Sequence, residues 1–388
     1  LQERQSVAKE VPLETKVTNT TCSYCSVGCS LQVESCGSML IKSNPDKNGA
    51  VNKGLLCGKG KWGFDCSVLE GKLTKPLIKD GDKFRECSYD EAIVLVAKKA
   101  ESIATKYGKD SVAVSISDRF TNEEASVIKK LADAMGAKTL CFNHVESGLK
   151  KVLGVDKSPN TMDELLSTNV ILVFGYIMEK NPVVQLKLKQ AAENGAKVYV
   201  INPVGVEVVN FDFAEKVIYT GNNLDALKEI AKYLVDEKDN LSLTNLLELK
   251  KSLENVFVSD EIKEVASAYN NAKKAMIVFQ ENVLSVDAAT MIGNIALVSN
   301  HIGAPRDGIV QIKGKNNSQG LVDMGIDKGI EEMANVKALL CFGEDPCVLG
   351  DDILDNLISK SAKEVENEIF DEIENNFNDD IVFSENHK

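Results

Sequence analysis

The stretch VILVFGYIMEKNPVVQLKLKQAAENGAKVYVINP, residues 170–203, decides the fold. Its two ends, VILVFG and KVYVINP, are short β-rich apolar runs, the mark of strands covered on both faces. Between them VQLKLKQAAENG (184–195) has helical spacing. A buried strand, a helix and another buried strand make the βαβ unit of a parallel sheet.

The same alternation extends in both directions. Toward the amino terminus lie SVAVSIS, the helix NEEASVIKKLADAMG ending at Gly136, and KTLCF. Before them Ser88 and Glu91 predict the capped start of a helix, DEAIVLVAKKAESIATKYG, that stops at Gly108. Toward the carboxyl terminus come EKVIY, NLDALKEIAKYLV, a helical acidic stretch from Asn240 to Tyr269, KAMIVFQ, DAATMIGNIALVSNHIG and KALLCFG. The fold class is therefore α/β. The last residues, EVENEIFDEIENNFNDDIVFSENHK, are densely acidic and predict a solvated helix and tail.

The chain has 388 residues, enough for more than one core. Hydrophobic residues at 44% and charged residues at 27% are those of an ordinary globular protein. A net charge of −13 argues against a nucleic-acid partner, since phosphate binding is driven by Lys and Arg. No apolar run approaches the length of a membrane span, and LQERQSVAKEVPLETK lacks the apolar centre of a signal peptide. The expected location is cytoplasmic.

Residues 17–65 differ in texture, being rich in Cys, Gly, Ser and Lys, and predict a small loop-rich domain organised by metal. CSYCSVGCS (22–30) offers Cys22, Cys25 and Cys29, and LLCGKGKWGFD (55–65) offers Cys57. Three thiols in one loop and a fourth from a distant return segment suit a 4Fe-4S cluster. Zinc is the competing reading, but structural zinc sites usually take two paired knuckles, and here the fourth cysteine stands alone. Cys36, Cys66, Cys87, Cys141, Cys341 and Cys347 are expected to be small buried hydrophobes. His144, His301 and His387 have no ligand spacing to one another.

Together these residues resemble the molybdopterin oxidoreductases, a superfamily that includes formate dehydrogenase catalytic subunits and the large iron-sulfur subunit of respiratory complex I. The resemblance rests on the cysteine spacing followed by Lys59, Gly60, Gly63 and Asp65, then KLTKPLIK, SYDEA, VFGYIMEKNPV, VYVINP, GKNNSQGLVDMG and CFGEDP in family order. It implies a small 4Fe-4S domain (1–70) on two interleaved open parallel-sheet units. One is built from 71–140 and 300–365, the other from 141–299, and 366–388 is an acidic tail. It implies that Lys59 lies on an electron path from the cluster. If a pterin dinucleotide is retained, its contacts would be Gly175, Glu179, Asn202, Gly221, Asp225, Asn316, Asn317 and Gln319.

The chain departs from the formate dehydrogenase pattern in two places. Cys141 is not followed directly by His, and ENVLSVDAA follows KAMIVFQ where an active-site His is expected. Only an acidic segment follows Pro346. These departures put molybdopterin guanine dinucleotide in doubt. The expected role is an electron-transfer and scaffold subunit of a redox complex, partnered by other iron-sulfur or flavin subunits. The alternative is a catalytic, formate dehydrogenase-like oxidoreductase seen as a truncated chain.

Overall fold

The computed structural model describes residues 14–64, 73–81, 83–175, 177–206, 208, 210–238, 245–333, 335–344 and 381–382. Asp65, Cys66, Lys72, Pro346, Cys347, His387 and the acidic tail other than 381–382 lie outside them, as does the Glu179 side chain.

The amino-terminal module is an antiparallel meander. Strand β1 (Lys16–Thr21) pairs with β2 (Ser30–Cys36), and β2 with β3 (Met39–Pro45). Gly37, at φ 59°, makes the tight turn between β2 and β3. The expectation of a loop-rich region overlooked this sheet. Its inward positions are few, chiefly Leu31, Ile41 and Ser43, so the period-two pattern is faint. A short helix, α1 (Gly58–Trp62), starts at Cys57.

A hairpin of β4 (Leu77–Asp80) and β5 (Lys83–Glu86) leads to α2 (Tyr89–Tyr107). Ser88 caps α2 by accepting from the Glu91 amide at 3.1 Å. The reciprocal half of the expected box is missing because the Glu91 carboxylate is held by Arg85 at 2.6 Å. Then β6 (Val112–Ile116), α3 (Asn122–Met135) and β7 (Lys138–Leu140) form a βαβ unit, with a complete capping box at Thr121 and Glu124.

The chain enters the larger sheet through α4 (Gly148–Leu153) and β8 (Val170–Phe174). It continues through α5 (Ile177–Lys180), α6 (Pro182–Glu193), β9 (Lys197–Pro203), β10 (Lys216–Thr220) and α7 (Asn223–Asp236). Helices α8 (Leu246–Ser252) and α9 (Asp260–Asn270) precede β11 (Ala275–Gln280), α10 (Val286–Ser299) and β12 (Gly308–Ile312). All five strands are parallel, in the order β10-β9-β8-β11-β12. Strand order reverses between β8 and β11, which makes their carboxyl ends the switch point where such sheets take ligands.

After α11 (Ser318–Asp323), β13 (Ala338–Phe342) returns to pair in parallel with β6, completing the sheet β13-β6-β7. The final strand, β14 (Ile381–Val382), pairs antiparallel with β4. Two corrections follow. Residues Gly308–Ile312 belong to the five-stranded sheet, so the return to the first unit falls after them and not at residue 300. GIVQI, following Pro305, is apolar and buried on both faces, a strand signal the sequence reading did not use. Cys341 is exposed on β13, an edge strand among the described residues, whereas Cys141 is buried and Cys36 and Cys87 are half-buried.

Alternate residues of the large sheet feed two cores. Leu172, Phe174, Tyr199, Ile201, Ile277 and Phe279 meet α7, α9 and α10. Ile171, Val173, Val198, Val200, Met276 and Val278 meet α6 and the amino-terminal module, including Cys22, Val27, Cys29 and Leu31. At about 1.5–3 kcal/mol for each large apolar side chain buried, this second face holds both α6 and the cysteine module against the sheet.

Candidate functional site

The four thiols are brought together by local hydrogen bonds. The Cys22 amide donates to the Cys29 carbonyl at 2.9 Å, and the Gly28 amide to the Cys25 carbonyl at 3.3 Å, with Gly28 at φ 60°. Asn52, fully buried, ties this loop to the one bearing Cys57. Its Oδ1 accepts from the Ser30 amide at 2.9 Å, and its Nδ2 donates to the carbonyls of Ser30 at 3.0 Å and Leu55 at 2.7 Å. Tyr24 donates its hydroxyl to the Gly63 carbonyl at 2.8 Å, and its ring fills the place of a side chain at Gly63. Asn52 and Tyr24 went unrecognised in the sequence, where nothing marks a bond across 22 or 39 positions.

Burial raises the thiols of Cys22, Cys25 and Cys29, and the charges of their neighbours raise them further, Cys29 to about 12. Converging buried thiolates need a positive centre among them, which iron supplies. The cradle is shaped by Gly60, where a Cβ would lie 3.6 Å from the Cys22 sulfur and 2.5 Å from Leu56. The donor set and the cradle fit a four-iron cluster. Beside Cys25 stand the Asn181 amide and the cation of Lys315, both of which favour its thiolate. Lys59 is exposed on α1.

Asn181 links the thiols to the switch point. Its Oδ1 accepts from Gln280 Nε2 at 2.8 Å at the end of β11. Gly175 (φ 108°) ends β8, and its amide donates to Asn202 Oδ1 at 3.0 Å at the end of β9. A Cβ at Gly175 would lie 2.9 Å from Gln280 and Val283. Of the eight expected pterin positions, Gly175 and Asn202 therefore share one crevice. Gly221 and Asp225 lie at the far edge, where Asp225 serves the α7 cap through Asn222. Asn317 ties the loop after β12 to the smaller sheet, donating to the Phe120 carbonyl at 2.8 Å and to Asn122 Oδ1 at 3.0 Å. Gln319 donates to Asp323 along α11. The oxygens Gln280 Oε1, Gln311 Oε1 and Asn316 Oδ1 are buried without a protein partner. These orphaned acceptors fit a donor-rich ligand.

Two acidic groups line the facing strand ends. Asp118 accepts from Asn143 Nδ2 at 3.0 Å and from the Ser318 hydroxyl at 2.6 Å. Glu344, after β13, accepts from the Phe142 amide at 3.4 Å, and burial followed by the charge of Asp118 raises its carboxyl to about 8. Burial, then Asp118 and Glu344, push the Cys141 thiol well up. Nearby, Lys313 at the end of β12 is buried between Asp156 at 2.9 Å and Glu281 at 3.2 Å. His144 is held below its usual range, first by burial and then by the charge of Lys313. His301 is occupied in the core by Asp307 and the Tyr269 carbonyl.

An open parallel sheet with a cysteine module seated over its switch point defines an iron-sulfur α/β protein of the oxidoreductase type. The chain belongs to the molybdopterin oxidoreductase family: the profile "Molybdopterin oxidoreductase" matches residues 72–364, and "Molybdopterin oxidoreductase Fe4S4 domain" matches 15–66. The second match supports a 4Fe-4S cluster, and the first does not support the doubt raised above about molybdopterin. The chain is 29% identical over 341 residues to F420-dependent formate dehydrogenase 2 subunit alpha of Methanococcus maripaludis, covering 80% of this chain and 50% of that one. It is 27% identical over 341 residues to formate dehydrogenase H of Escherichia coli, covering 79% and 48%. Acetylene hydratase from Pelobacter acetylenicus shares the fold, with a TM-score of 0.55 at 16% identity over 74% of this chain and 44% of that one. The chain thus spans about half the length of these two formate dehydrogenase relatives. Among the described residues no helix is long and apolar enough to cross a membrane.

Proposed function

We propose that this chain relays electrons through one 4Fe-4S cluster held by Cys22, Cys25, Cys29 and Cys57, and serves as a platform for other iron-sulfur or flavin subunits. When bound, such a cluster takes up and releases one electron at a time. The observation that carries this reading is a contrast between strand ends. The four coupled thiols stand on the switch-point crevice beside Lys315 and Asn181. The thiol at the opposing strand end, Cys141, is instead buried beside the carboxyls of Asp118 and Glu344. The cations of Lys59 and Lys315 would offset the negative charge of a reduced cluster and so favour its reduction.

A second reading, a pterin-dependent oxidoreductase acting on formate, is favoured by the orphaned acceptors Gln280 Oε1, Gln311 Oε1 and Asn316 Oδ1. Metal analysis of the anaerobically purified chain separates the two. Iron without molybdenum or tungsten is expected, and stoichiometric molybdenum or tungsten with extractable pterin would overturn the relay reading. Cys25→Ser should remove the iron and the visible absorbance, while Lys59→Ala should keep both and lower the midpoint in a redox titration. Full iron content in Cys25→Ser would rule out the ligand assignment.

A further inference from the structure

The group at the end of β12 that neither reading uses is Lys313. Its side chain is 6% exposed, and it sits where a parallel sheet offers a cation to an anionic ligand. That cation is already engaged. Lys313 Nζ donates to Asp156 Oδ1 at 2.9 Å and lies 3.3 Å and 3.2 Å from the two oxygens of Glu281, whose carboxylates are 5% and 8% exposed. Asp156 is itself fixed: its Oδ1 also accepts from Gln311 Nε2 at 3.0 Å, and Gln311 reaches the Ser147 hydroxyl at 3.3 Å. Burial works against the charge of Asp156, but Lys313 and these hydrogen bonds outweigh it and keep the carboxylate ionised.

Two carboxylates on one ammonium leave the group formally net negative, and the opposing strand end adds Asp118, beside which the Glu344 carboxyl is raised to about 8. The free acceptors of the crevice are again oxygens, at Gln280, Gln311 and Asn316. An anion entering there finds no unpaired donor at the Lys313 ammonium, and would have to displace a carboxylate that is buried and hydrogen-bonded. The geometry points to a specificity device: Asp156 and Glu281 hold Lys313 as an internal counter-ion and close the strand-end crevice to small carboxylates and oxyanions. The crevice selects neutral, donor-bearing groups.

The test follows the NMR line width of formate, and separately that of acetate, against the anaerobically purified full chain. The quantity read is the saturable broadening that Lys313→Met removes. It should be absent from the wild type and should appear in the Asp156→Asn/Glu281→Gln double variant, from which adding Lys313→Met abolishes it. If the double variant loses its circular dichroism signal, Glu281→Gln alone takes its place and should show the same gain. Lys313-dependent broadening in the wild type, or none in a folded variant, overturns the inference. Neither result depends on the iron and molybdenum analysis, so the relay reading stands or falls separately.

Discussion

Glu344 shows how much one carboxyl can depend on its surroundings. A glutamate free in solution titrates near 4.3, whereas this one, pushed up by burial and by Asp118, titrates at about 8. Between those values the folded chain holds a proton that the unfolded chain has released, so stability falls as pH rises through the window. The contribution is complete below about pH 4.3 and is gone above about pH 8. Urea unfolding of Glu344→Gln should therefore show a flatter dependence between pH 5 and 8 than the wild type, and superimposable slopes would count against the raised carboxyl. Nothing in CFGEDP announces this. The acid is visible in the sequence, but its partner Asp118 lies in the turn after β6, and the distance between them is a property of the folded sheet.

At the scale of elements, hydrophobic period and caps were legible where a segment is self-contained. The buried runs of β8, β9 and β11 and the helix stops at Gly108 and Gly136 could be read directly. The meander of the cysteine module was not, because few of its residues turn inward and only contacts distant in the chain complete it, whereas GIVQI of β12 carries a strand signal of its own. The crossing of α4 and α10 is another contact of this kind. A Cβ at Gly148 would lie 2.0 Å from the Val286 carbonyl and 2.5 Å from the Thr290 amide, both backbone atoms that cannot rotate away. Overpacking there should cost about 3 kcal/mol or more. Gly148→Ala should lower the urea midpoint accordingly, and a midpoint within error of the wild type would mean that the helices separate freely.

For the molecule as a whole, the decisive contact is between the cysteine module and the large sheet. Besides the shared apolar face, Asp163 bridges them, accepting from Lys187 at 2.6 Å and from Lys53 of the module at 2.5 Å. Lys187 is 2% exposed, so Asp163→Asn strands a buried ammonium. The expected loss is about 2 kcal/mol, below the usual range for a buried pair because Asp163 is partly exposed. Bleaching of the visible chromophore in air should quicken as the module loosens. Unchanged bleaching together with unchanged stability would show that the apolar face suffices. The sequence by itself determined the α/β class and the four candidate ligands, because hydrophobic period and cysteine spacing are written in neighbouring residues. The tertiary structure alone decided that those thiols stand over the β8/β11 switch point, that Cys141 is sealed from solvent, and that Lys313 is already paired. Each of these is set by burial and by charges distant in the chain, and only packing brings such groups together.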